Sequence, residues 1–131
     1  LGYISSFASG CRYCQAHMLL ASERFGASEA RMADIWAYED SPHFSEAERA
    51  ALAFAQAASA VPNAVTPQIE ARLKAAWRDD DIVEIMGVVA LFGYLNRWND
   101  SMGSALEDLP RETAEARLAG QSGWEIGKHG G

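Results

Sequence analysis

Apolar side chains recur at intervals of three and four along almost the whole chain. No stretch alternates with period two for long enough to build a sheet. The pattern predicts an all-α fold. The first element, to about residue 8, reads as the end of an apolar helix, and a second follows over residues 10–25, stopped by Gly26. Within it Cys11, Cys14, Met18, Ala21 and Phe25 fall 3, 4, 3 and 4 apart, the spacing of a buried seam. A third helix starts at Ser28 as its cap, carries Met32, Ile35 and Trp36, and ends before Asp40-Ser41-Pro42. Ser45 and Glu48 make a capping box for the fourth, which runs through Ala51, Phe54, Ala55 and Ala58 until Val61-Pro62-Asn63 breaks it. Thr66-Pro67 opens the fifth, which reaches about Trp77. Asp79, Asp80 and Asp81 open the sixth, where the helix dipole favours negative charge, and it continues to about Ser101. A shorter helix from Pro110 reaches about Leu118. A Gly-rich tail, residues 120–131, is expected to pack through Trp124.

The sixth helix is apolar all round over residues 82–95 apart from Glu84, which predicts a central helix or one lying in a subunit interface. It leads into Asn96-Arg97-Trp98-Asn99-Asp100, which reads either as a helix exit with a cation–π or stacked Arg/Trp pair or as a wall of an active-site cavity or an inter-subunit contact. At 131 residues the chain fits a single domain, residues 1–131. A formal net charge of −7 with dispersed arginines argues against nucleic acid or an anionic membrane as partner. The longest uncharged apolar run, residues 85–95, is too short to span a bilayer, and no signal peptide is visible, so the expected location is cytoplasmic. The chain opens on Leu1 in the character of a helix end, and an upstream segment is expected in the natural protein.

The chemistry concentrates in Ser9-Gly10-Cys11-Arg12-Tyr13-Cys14-Gln15-Ala16-His17, which holds both cysteines of the chain. On a helix Cys11 and Cys14 stand one turn apart on one face, where their sulfurs can close a disulfide. A Ser-Gly entry puts Cys11 in the first helical turn, where unpaired N–H groups favour thiolate over thiol. His17, at i+3 from Cys14, is expected to share that cysteine's proton directly or through one water. Two other readings fit the same residues. One is a pair of small core cysteines beside a satisfied histidine. The other is a zinc site, which would need His43, His129 or a distant carboxylate as its fourth ligand. The redox reading calls for no metal and no cofactor.

With these residues in hand, the chain resembles the carboxymuconolactone decarboxylase/AhpD-like alkylhydroperoxidase superfamily, in its peroxidase-related branch. The likeness rests on the cysteine motif and on the run from Phe44 to Ala55, followed in order by Pro62-Asn63-x-Val65-Thr66 and Asp81-Ile82-Val83-Glu84-Ile85. Phe92-Gly93-Tyr94-Leu95-Asn96-Arg97-Trp98-Asn99-Asp100 and Gly123-Trp124-Glu125-x-Gly127-Lys128-His129 complete it. The resemblance implies an all-α, AhpD-like multihelical domain of paired helices that assembles as trimers or hexamers. It implies reduction of small peroxides by the dithiol, with Cys14 meeting the peroxide, Cys11 resolving the disulfide and His17 in the proton relay. It also implies recycling by a dithiol reductant, either a protein or a lipoyl-type group. The best-studied alkylhydroperoxidases place their motif histidine at i+4 from the second cysteine, and here it is at i+3. Their relay glutamate, about a dozen residues before the first cysteine, would fall upstream of Leu1.

The expected function is therefore a thiol-dependent peroxidase or disulfide oxidoreductase. Two rivals stand beside it: a decarboxylase-like lyase or isomerase using His17 with a carboxylate such as Glu84, and a non-enzymatic redox-sensing oligomeric scaffold.

Overall fold

The computed structural model describes residues 1–118, 120 and 123–131, and among them every regular element is helical. The helices are α1 (Gly2–Ala8), α2 (Arg12–Arg24), α3 (Glu29–Asp34), α4 (Glu46–Ser59), α5 (Pro67–Ala76), α6 (Asp79–Met102) and α7 (Asp108–Arg117). Single 3-10 turns follow at Ile35–Ala37 and Gly127–His129. The capping chemistry reads through to the structure. The Ser28, Ser45 and Thr66 side chains accept the N–H groups of Arg31, Glu48 and Ile69, and the Ser45/Glu48 box closes reciprocally. Gly103, at φ 60, ends α6 in the left-handed conformation that glycine reaches without strain.

The short α1 lies at the centre, packed against α2, α4 and α6. Its approach requires glycine at position 2. A Cβ there would stand 2.6 Å from the Phe92 ring and 2.8 Å from the Met18 sulfur. Tyr3, Ile4, Ala16, Leu19, Met32, Phe44, Leu52, Ala55 and Val89 fill the core around it, and Leu106, Ala114, Leu118 and Trp124 extend that core to the C-terminal side. A smaller cluster of Ala51, Leu73 and Ile85 holds α5 to α4 and α6.

Three expectations need correction. Cys11 is the N-cap of α2 rather than part of its first turn. The seam through Phe25 is not buried: burial on α2 follows Cys14, Gln15, Ala16 and Leu19, and Phe25 is 92% exposed. The helix turns out of the core before it ends. The last α-helix starts at Asp108, two residues before the expected Pro110, because a proline is tolerated anywhere in the first turn. The tail does pack through Trp124, whereas Gln121 and Ser122 lie outside the described residues.

On α6 only Ile85, Val89, Phe92 and Asn96 are buried. Val83, Leu91, Tyr94, Trp98 and Met102 stand exposed along its other faces. Among the described residues no helix is long and apolar enough to cross a membrane.

Candidate active site

Gly10, at φ 75, swings the chain out of α1 and delivers Cys11 as the cap of α2. Its sulfur accepts the Cys14 N–H at 3.4 Å, doing with sulfur what serine or aspartate oxygens do at other helix starts. Both cysteines are free thiols and both are buried. The neighbouring Cys14 thiol, with the Cys14 and Tyr13 N–H groups, holds Cys11 below the usual thiol range, against the opposing effects of burial and of the Asp100 charge. Cys14 moves the other way, because its proton is held on Cys11, the site is buried and Cys11 carries the charge. The Asn99 amide, 3.6 Å from its sulfur, offsets only part of this. The two thiols thus move in opposite directions, and the cap position favours ionisation of Cys11.

The C-terminal segment closes over this helix start. The Trp124 indole N–H donates to Arg12 O at 3.3 Å, and the Arg12 guanidinium donates to Glu125 O at 2.8 Å. His129 is then tied to the α6–α7 connection: the Leu106 N–H donates to its carbonyl at 2.8 Å, and its own Nδ1 lies 2.8 Å from Ser104 O. Its Nε2 is buried without a normal hydrogen bond among the described residues, 3.5 Å from Asp100 Oδ1. Cys11 Sγ, an Asp100 oxygen and a His129 ring nitrogen all lie within 4.8 Å of one another. Lys128 sits on the other Asp100 oxygen at 2.9 Å. That ammonium offsets the carboxylate's charge and would oppose a dication held by the same three groups. His43 lies beside Asp34 instead, at 3.9 Å.

His17 does not make the expected hydrogen bond to Cys14. Its Nε2 lies 2.8 Å from Glu107 Oε2, and the Tyr13 hydroxyl donates to Glu107 Oε1 at 3.2 Å. Three residues advance a helix by about 300°, which carries His17 off the Cys14 line toward the start of α7. A carboxylate there makes a stronger acceptor than a thiol. Burial lowers the His17 pKa, and Glu107 only partly opposes it. The carboxylate that meets His17 is thus Glu107 and not Glu84, which stands exposed on α6. Tyr13 separates the two histidines, its ring centre 4.4 Å from that of His17 and 5.8 Å from that of His129.

Asp100 also lines a broad open groove of about 1040 Å³, shared with Ser9, Met86, Tyr94, Asn96 and Trp98. The groove meets the cysteine site at Asp100, and neither cysteine lines it. A second cavity of about 280 Å³, between Tyr3, Met32, Phe44 and Trp77, is mostly apolar, with Ser22, Arg31 and Glu48 among its lining, and no site residue lines it.

Residues 4–57 match the carboxymuconolactone decarboxylase family. The uncharacterized protein YnjA of Escherichia coli K12 is 30% identical over 102 residues, 77% of this chain and 56% of YnjA. The debrominase Bmp8 superposes with a TM-score of 0.84 at 35% identity, covering 87% of this chain and 61% of Bmp8. A cysteine-to-alanine variant of Bmp8 in complex with 2,3,4-tribromopyrrole superposes with a TM-score of 0.85 at 34% identity, covering 88% of this chain and 62% of that one. The fold is shared at 24% identity and a TM-score of 0.75 with a protein of unknown function from Agrobacterium tumefaciens connected by its description to AhpD antioxidant defence, over 80% of this chain and 73% of that one. The chain thus spans little more than half of YnjA and about three fifths of Bmp8. With the helix-capping C-x-x-C, the all-α architecture and these likenesses together, the chain belongs to the carboxymuconolactone decarboxylase/AhpD-like superfamily.

Proposed function

We propose that this chain is a thiol-dependent peroxidase acting through the Cys11/Cys14 dithiol. The observation that carries the reading is the cap geometry: at the N-terminus of α2 the Cys11 sulfur accepts the Cys14 N–H, with the Cys14 thiol one turn on. A sulfur held this way gives up its proton more readily than a free thiol and is the readier nucleophile of the two. This favours Cys11 as the attacking residue and reverses the order implied by the family resemblance. The Cys11 thiolate attacks the distal peroxide oxygen, the O–O bond breaks, and the alcohol leaves once its oxygen takes a proton. Cys11 is then a neutral sulfenic acid, the charge that held the Cys14 proton is gone, and the Cys14 sulfur displaces water to form the disulfide. An external dithiol, a protein or a lipoyl-type group, restores the pair. The exposed apolar faces of α6 support a homo-oligomer, a trimer or hexamer, with Tyr94 and Trp98 in its interface.

A second reading is favoured by the likeness to a debrominase. The same dithiol can supply two electrons to a carbon–bromine bond, giving the carbon–hydrogen product, bromide, a proton and the Cys11–Cys14 disulfide. Steady-state assays with hydrogen peroxide, an alkyl hydroperoxide and a brominated pyrrole, each with a dithiol donor, separate the two. Peroxide consumption without bromide release is the expected result, and bromide release with inert peroxides would replace the first reading by the second.

A further inference from the structure

Two histidines flank the dithiol, and only one is placed to exchange a proton with it. The Nδ1 of His129 faces the Ser104 carbonyl, which accepts and cannot donate, so Nδ1 carries the hydrogen. That fixes Nε2 as the atom where a proton arrives or leaves. Nε2 is buried, makes no normal hydrogen bond among the described residues and lies 3.5 Å from Asp100 Oδ1, in a residue whose ring brings a nitrogen within 4.8 Å of Cys11 Sγ. A nitrogen lone pair with no partner in a residue only 1% exposed carries a desolvation penalty unless a proton donor comes to it. The nearby donor is the Cys11 thiol. The Nε2 of His17, by contrast, is turned away from the cysteines and donates to Glu107.

We infer that His129, with Asp100 as its counter-ion, is the acid–base residue of the Cys11 thiol, and that the C-terminal segment exists in the site to deliver it. The inference rests on Cys11 being the reacting sulfur. At rest the proton of Cys11 passes to Nε2, leaving a thiolate beside an imidazolium whose charge faces Asp100. On attack the S–O bond forms and the O–O bond breaks, and Nε2–H gives its proton to the leaving oxygen as the alcohol departs. The proton taken from the thiol thus ends on the product, and no outside acid is needed. The groups around the His129 ring are Cys11 at the cap of α2, with Cys14 one turn on, Asp100 on α6 with its Lys128 partner, and the Tyr13 ring. Lys128 matters here. It keeps Asp100 from drawing the imidazolium wholly to itself, so the proton stays available to sulfur and substrate.

The test uses the reduced full chain, with chelator present, and follows carboxamidomethylation of Cys11 by peptide mass from about pH 6 to 10, a window spanning the free histidine and thiol values. His129→Asn keeps an N–H where Nδ1 donates and removes Nε2; His129→Gln is the second variant if the first unfolds. Either should slow Cys11 alkylation about tenfold at pH 7 and converge with wild type near pH 10, the pattern of one pKa unit on a thiolate-limited rate. His17→Gln should leave the profile where it is. In the wild-type protein, ¹⁵N NMR of the ring should report an imidazolium at His129 while Cys11 is reduced and its loss when the disulfide forms. Superimposable profiles for wild type and the His129 variants, with peroxide still consumed, would overturn the inference and leave the peroxidase reading standing. Shifted profiles in a protein that consumes no peroxide would keep the His129–Cys11 pair and remove that reading. A profile difference that appears only when zinc is added would make His129 a metal ligand and overturn the inference.

Discussion

The two ends of the Cys11–His17 segment contain similar groups and hold them differently. Each pairs a histidine with a carboxylate: His129 with Asp100 beside Cys11, and His17 with Glu107 one turn on. At the first end the histidine is 1% exposed, its carboxylate is shared with Lys128, and its Nε2 makes no normal hydrogen bond among the described residues. At the second the histidine side chain is 31% exposed and satisfied at 2.8 Å, with Tyr13 bonded to the same carboxylate. The histidine that follows the C-x-x-C in sequence is therefore bonded to a carboxylate rather than directly to sulfur. The His17 end clips α2 to the start of α7, and the His129 end is where we place the proton transfer.

The sharpest break of this comparison removes the sulfurs. Cys11→Ser should abolish turnover outright, whereas Cys14→Ser should still consume one peroxide per chain and then stop, seen by mass as one added oxygen or a mixed disulfide. Next in size is the strap. Trp124→Ala should lower stability by about 3–5 kcal/mol, the usual loss for a buried aromatic, in a denaturant titration. At the other end, His17→Gln should change the Cys11 alkylation rate at pH 7 by less than about twofold, since no bond to sulfur is lost. The smallest effect is on acid stability. Burial depresses the folded pKa of His17, so the unfolded chain binds its proton first. The wild-type chain should therefore lose stability as pH falls through the unfolded value near 6.5 toward the lower folded one. His17→Gln should lack that component, and denaturant midpoints at neutral and mildly acidic pH measure the difference.

Much of the helical framework was legible because its signals are local. Ser28, Ser45 and Thr66 announce three helix starts through side chains that reach only three residues. The burial pattern of α2 was less legible. A 3,4 spacing that includes Phe25 looks like a seam, but the helix leaves the core before it reaches that residue. The cysteine pair could be read from its spacing, and its cap geometry could not, since one residue of shift at a helix start moves Cys11 from the first turn to the cap. His129 was hidden for a different reason. It lies 118 positions after Cys11, and only the packing of Trp124 on Arg12 brings it back. The sequence signal available was Gly123-Trp124-Glu125-x-Gly127-Lys128-His129, an ordered cluster of glycine, tryptophan and histidine in what composition alone presents as a tail.

The central claim is that the negative charge of the reduced pair resides on Cys11. Brief treatment of the reduced chain with substoichiometric iodoacetamide at pH 7, followed by peptide mass mapping, tests it without reference to any substrate. The account predicts label on Cys11 well ahead of Cys14, because the cap bonds and the Cys14 thiol together stabilise that thiolate. Label first on Cys14, with Cys11 unmodified, would contradict it.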